Sequence, residues 1–103
     1  MKKDEFFVFY NKRKCFQVLF DDIIYIEAFG RKKILHTEDK SYDINSSIEG
    51  IRTKLNSDFI QPHNSFFVNT NYIKDINKNE LILKNGIIIP VSRRFKKNLS
   101  NSS

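Results

Sequence analysis

The feature that most constrains this chain is its rhythm. Short runs of β-branched and aromatic residues recur from one end to the other, with turn-forming residues between them. The runs cover residues 6–10, 15–20, 23–29, 33–37 and 41–44, then 59–61, 66–69, 72–76, 81–83 and 87–91. That pattern predicts a β-rich domain. The basic turn Asn11-Lys12-Arg13-Lys14 joins the first two runs as a hairpin, and Gly30 separates the third from the fourth. Asn85-Gly86 is the strongest hairpin signal, because both residues tolerate the positive φ that a type I′ turn demands.

One segment changes period. Ile48, Ile51 and Leu55 fall at i, i+3 and i+7, one stripe of a helix predicted near residues 46–56. Ser46 followed by Glu49 fits a capping box, and Lys54 in the last turn suits the helix dipole. Gly50 weakens the interior by ~1 kcal/mol against Ala, so packing of the apolar stripe must hold the helix in place. A short helical turn is expected from Ser92, with Ser92 as cap, Phe95 and Leu99 facing inward, and a frayed tail after it. There is no internal repeat or linker, so residues 1–103 read as a single domain.

Composition narrows the partners. The chain carries 18 Lys and Arg against 12 Asp and Glu, a formal charge of +6, which favours polyanions such as nucleic acid or anionic lipid. Hydrophobic residues at 40% suffice to order nearly the whole chain. Cys15 stands alone, so no internal disulfide can form, and with only two His no four-ligand zinc site can be filled unless carboxylates contribute. No metal or cofactor is expected. No apolar run approaches the ~20 residues of a membrane span, and Asp4 and Glu5 stand where a signal peptide needs apolar residues. A cytoplasmic, non-membrane protein is the expectation.

Ten of the basic residues fall in three clusters at strand ends or turns: Lys12, Arg13 and Lys14; Arg31, Lys32 and Lys33; Arg93 and Arg94 with Lys96 and Lys97. Loop-tip charges are usually solvated, and Lys near strand edges discourages aggregation. Phosphate binding, however, needs several cations along one face. His63, Asn64 and Ser65 form a hydrogen-bonding row between apolar runs. His63 could serve as a general acid or base, but no carboxylate, Cys or second His flanks it, and bonding to backbone is its blander role. Asn64 is either a turn residue or an amide able to pair with adenine, and Arg94 is either a solvated side chain or a clamp for phosphate or guanine.

In this order and spacing, the residues resemble a known family. Asp22-Ile23-Ile24-Tyr25-Ile26-Glu27 is followed by Phe59, by His63-Asn64-Ser65, by Phe67-Val68-Asn69 with Ile73 beyond, and by Asn85-Gly86 leading to Ile89-Pro90-Val91-Ser92-Arg93. From about Val18 to Leu99 the chain resembles the LytTR DNA-binding domains of bacterial response regulators. The resemblance implies a mostly β, elongated antiparallel fold with one helix and a short C-terminal helical turn. It further implies sequence-specific binding of double-stranded DNA by loops inserted into successive major grooves, in a bacterial transcriptional regulator acting at promoter direct repeats.

Carried over by position, the resemblance makes Arg31, Lys32, Lys33, Asn64 and Arg94 base readers, and Lys12, Arg13, Lys14, Arg93, Lys96 and Lys97 phosphate contacts. His63 and Ser65 organise the loop that presents Asn64. Many members carry Arg or Lys at the Asn64 position. A second copy on an adjacent repeat would raise affinity. Receiver domains commonly regulate this family, and none lies within these residues. The protein therefore either acts alone or is the C-terminal half of a two-component regulator, with a regulatory partner protein as a further option. The alternatives are a small basic nuclease using His63 or His36, and a protein-interaction module with exposed strand edges. A membrane-surface role is disfavoured because the helix mixes Glu49 with Arg52 and Lys54.

Overall fold

A computed structural model describes residues 5–95. Ten strands and one helix follow in the order β1 (Phe6–Asn11), β2 (Lys14–Leu19), β3 (Ile23–Phe29), β4 (Lys32–Thr37), β5 (Ser41–Asp43), α1 (Ile48–Lys54), β6 (Phe59–His63), β7 (Phe66–Asn69), β8 (Ile73–Ile76), β9 (Glu80–Leu83) and β10 (Ile88–Pro90). Every pairing among them is antiparallel. The expected β-rich fold is the observed one. Two short 3-10 turns, Phe20–Asp22 and Thr70–Tyr72, lead into β3 and β8, so Tyr72 belongs to a turn and not to the strand that alternation predicts.

The strands form a five-stranded sheet in the order β5-β4-β3-β7-β6, a β1-β2 hairpin and a three-stranded β8–β10 sheet. β3 lies in the middle and is buried on both faces, as its run of apolar residues requires. On one face the hairpin and α1 cover Ile23, Ile26, Leu35 and Phe67 with Phe7, Phe9 and Ile51. On the other, Ile24, Tyr25 and Val68 meet Leu81, Leu83 and Ile89 of the small sheet. Each side chain buried here contributes about 1.5–3 kcal/mol relative to exposure.

Several local expectations change. The helix spans 48–54, and its cap is Ser47, whose hydroxyl accepts from the Gly50 N–H at 3.0 Å. The Ser46/Glu49 box does not form, because Gly50 holds the reciprocal position and Glu49 pairs with Arg52 instead. A Cβ at Gly50 would stand 2.7 Å from the Ser46 hydroxyl oxygen, which can rotate away, and 3.2 Å from the Ser47 hydroxyl oxygen that caps the helix. The stripe packs as expected, with Ile51 fully buried and Ile48 and Leu55 against the same core.

The Asn85-Gly86 hairpin is present with a different turn. Only Gly86 is left-handed, at φ +92°, its N–H closing a turn over Lys84 and Asn85 on the Leu83 carbonyl. Asn85 instead accepts the Ile87 N–H on its side-chain oxygen, an Asx turn. The two-residue left-handed turn occurs elsewhere, at Lys12 (φ 52°) and Arg13 (φ 70°) in the first hairpin. The C-terminal helical turn begins at Arg93 with Ser92 accepting the Phe95 N–H, as expected. Leu99 lies outside the described residues.

Candidate nucleic-acid interface

The antiparallel register carries four separate loops to one end of the five-stranded sheet. β3 turns into β4 through Gly30 and Arg31, with Phe29 opposite Lys32. Gly30 alone is left-handed there, the pattern of a type II′ hairpin turn. β7 pairs with β3 so that Phe66 stands opposite Glu27, which brings the Asn64-Ser65 turn beside the end of β3. An Ala28 N–H to Ser65 carbonyl bond of 2.8 Å ties the two.

The outer loops follow. The Ser92 N–H donates to the Pro62 carbonyl at 2.8 Å, docking the start of the last helical turn on the end of β6. At the opposite edge, Ile44 donates to Lys33 and Asn45 to Tyr10, which brings the Lys12-Arg13 tip to the same end. A cleft of about 190 Å³ between these tips is lined by Asn11, Arg31, Lys32, Lys33, Asp43 and Asn45 with Ile44.

Lys12, Arg13, Lys14, Arg31, Lys32, Asn64, Arg93 and Arg94 are exposed at this end. Lys33 is less so, with its ammonium 3.5 Å from the Arg31 carbonyl inside the loop. Lys96 and Lys97 lie outside the described residues. His63 Nδ1 accepts the Ser65 N–H at 3.1 Å, so the Nε2 nitrogen carries the proton of the neutral ring, and the ring meets Phe66 edge-on. This bond closes the turn directly behind Asn64. His36 is occupied elsewhere: Nε2 faces Glu27 at 3.1 Å, Nδ1 faces the Ser41 hydroxyl at 3.1 Å, and the ring stacks on Tyr25 at 4.3 Å. Burial first, then the Glu27 charge, raises the Tyr25 phenol above its ordinary range.

Sequence reasoning missed four residues at this end. Asn11 and Asn45 line the cleft, Gln61 reaches the Asn64 turn, and Arg52 reaches Gln61 from α1. Their types carried no signal, since each depends on which strands are neighbours. At the far end of the sheet the sign of charge reverses. A cleft of about 310 Å³ is bordered there by Asp22, Glu38, Asp39, Lys40, Tyr42 and Tyr72, among others. The Tyr72 phenol is raised by burial first and then by Glu38, Asp22 and Asp21, and it donates to the Asp21 carbonyl at 3.2 Å.

Comparison with known proteins converges on one family. The profile of the LytTr DNA-binding domain matches residues 13–102. The sensory transduction protein LytT of Bacillus subtilis (strain 168) is 43% identical over 84 residues, covering 76% of this chain and 35% of LytT, so the chain spans about a third of that relative's length. The LytTr DNA-binding domain of a Bacillus cereus protein described as a methyl-accepting/DNA response regulator superposes with a TM-score of 0.77 at 26% identity, covering 97% of this chain and 96% of that one.

Proposed function

This chain belongs to the LytTR DNA-binding domain family, and from that premise we propose that it selects promoter sequences by inserting the loops of its basic end into successive major grooves of double-stranded DNA. The observation that carries the reading is convergence: four loops far apart in sequence emerge at one end of one sheet. Between them they expose seven cations and the Asn64 amide there. Successive major grooves on one face of DNA lie about 34 Å apart. A body of 41 × 37 × 25 Å is long enough to touch both. A hairpin tip is also narrow enough for a groove ~12 Å wide.

Roles divide by chemistry. Arg31, Lys32, Lys33, Asn64 and Arg94 contact base edges, where bidentate amide and guanidinium groups discriminate. Lys12, Arg13, Lys14 and Arg93, with Lys96 and Lys97, neutralise phosphates and set the register on the duplex. His63 and Ser65 hold the Asn64 turn in shape. The nuclease alternative loses ground because His63 Nδ1 is already engaged by the Ser65 N–H.

A single domain of this size binds one repeat modestly, so two copies on adjacent direct repeats supply the affinity a promoter requires. A receiver domain or a separate regulatory protein in the cytoplasm provides the input. In vitro selection from a random duplex pool tests the reading. A repeated motif should be enriched, and its affinity should exceed that of a scrambled duplex. Recovery of unrelated sequences bound with equal affinity would sink it.

A further inference from the structure

We infer that Gln61 and Arg52 are positioning residues that aim Asn64, an inference resting on the reading of Asn64 as a base reader. β6 pairs with β7 at Ile60↔Val68 and again at His63↔Phe66. Gln61 and Pro62 therefore stand against Phe67 alone, a bulge of one extra residue. Bulges of this kind re-aim side chains beside functional sites. Pro62 is buried and has no N–H, and its carbonyl is taken by the Ser92 N–H. The strand's own backbone thus offers the turn little support at that point.

Side chains supply it. Gln61 Nε2 donates to the Asn64 carbonyl at 3.4 Å, while Gln61 Oε1 accepts from Arg52 Nε at 3.2 Å. The other arm of the Arg52 guanidinium is held by Glu49 on the same helix. A chain of polar contacts therefore runs from α1 through Glu49, Arg52 and Gln61 to the tip. The His63 to Ser65 bond grips the other side of the same turn. Asn64 is gripped through its backbone, and its exposed carboxamide makes no hydrogen bond among the described residues. That arrangement fits a side chain held ready for an outside partner, because base pairing by an amide tolerates only about 0.5 Å of misplacement.

Removing the brace should blur base choice without weakening the electrostatic grip. The test measures binding of wild type, Gln61→Ala, Arg52→Met, Asn64→Ala and the Gln61→Ala/Asn64→Ala double variant. Each is titrated against the selected duplex, a set of single-base-pair variants of it and a scrambled duplex, with a thermal melt of every protein. Gln61→Ala should lose about threefold to tenfold in discrimination at the base pair that Asn64→Ala relaxes. It should leave affinity for the scrambled duplex unchanged and add nothing in the Asn64→Ala background. Arg52→Met should show the same pattern to a smaller extent.

Equal loss on every duplex would make Arg52 or Gln61 a direct phosphate contact and overturn the brace, as would full discrimination in Gln61→Ala. An additive loss in the double variant would also overturn it. If Asn64→Ala relaxes no base pair while wild type still discriminates, the assignment of Asn64 fails and the brace fails with it. A wild type that does not discriminate at all ends the larger reading as well.

Discussion

The two ends of the five-stranded sheet are built to the same plan and carry opposite charge. Both are rows of tight connections between antiparallel strands. At one end Lys12, Arg13, Lys14, Arg31, Lys32, Lys33, Arg93 and Arg94 gather with Asp43 as the acidic neighbour in the cleft. The other end presents Asp21, Asp22, Glu38 and Asp39 around Lys40. In sequence these groups alternate, and only strand direction sorts them. The difference teaches that a net charge of +6 understates the field a polyanion meets, because a charge-separated body orients itself on approach.

The sharpest way to break the comparison is at the acidic end, where the connections hold the fold together. Asn69 is 1% exposed; its amide donates to the Phe20 and Ile23 carbonyls at 3.3 and 2.9 Å, and its oxygen accepts the Asn71 N–H. Asn69→Ala removes a partner from the Ile23 carbonyl and the Asn71 N–H, while the Phe20 carbonyl keeps the Ile23 N–H, and should cost roughly 2–3 kcal/mol in urea unfolding. Its selectivity on DNA, measured on the fraction that remains folded, should be that of wild type. A stable Asn69→Ala protein with altered selectivity would erase the division between a structural end and the proposed binding end.

Substitutions at the basic end should do the reverse. Arg94→Ala should lower discrimination between selected and scrambled duplex by about 1–3 kcal/mol, with no change in the unfolding midpoint. Asp39→Asn at the far end serves as the control and should leave discrimination unaltered, since ordinary salt screens charges beyond ~10 Å. Equal losses on both duplexes for Arg94→Ala would move it from proposed base reader to phosphate contact.

How much of this was legible before the fold was known follows from the range of each interaction. Hairpins announced by local chemistry, at Gly30 and at Asn85-Gly86, stand where expected, and the i, i+3, i+7 stripe of Ile48, Ile51 and Leu55 marks the helix. Adjacent serines defeated the cap assignment, because Ser46 and Ser47 offer the same hydroxyl and the next turn decides between them. The basic clusters, His63 and Asn64 could be named one by one. Their gathering could not, because β3 must find β7 across some forty residues of chain. The Arg52–Gln61 contact is invisible for the same reason: it joins a helix to a strand edge that only the tertiary fold brings together.

The first hairpin tip offers a test in which stability and binding should move in opposite directions. Lys12 and Arg13 both hold the left-handed conformation, which costs a residue with a Cβ about 1 kcal/mol. Asn-Gly suits such a turn far better. The Lys12→Asn/Arg13→Gly double variant should therefore unfold at higher urea, by about 1–2 kcal/mol. The same change should lower the slope of log affinity against log salt by about two if both cations touch phosphate. Higher stability with an unchanged salt slope would strip this tip of its proposed role in binding while leaving its geometry explained.

The smallest effect tests what the acidic end does to a titrating group. Burial is the leading cause of the raised Tyr72 phenol, with Glu38, Asp22 and Asp21 adding to it. The unfolded chain therefore loses this proton at a lower pH than the folded one does. It follows that the stabilising contribution of Tyr72 is complete below the ordinary tyrosine value of 10.0 and is lost as pH rises through the folded value. Urea unfolding at pH 8, 10 and 11 should show the advantage of wild type over Tyr72→Phe shrinking along that series. Since desolvation outranks the carboxylates, added salt should change the trend little, whereas a trend abolished by salt would make the acidic charges the main cause.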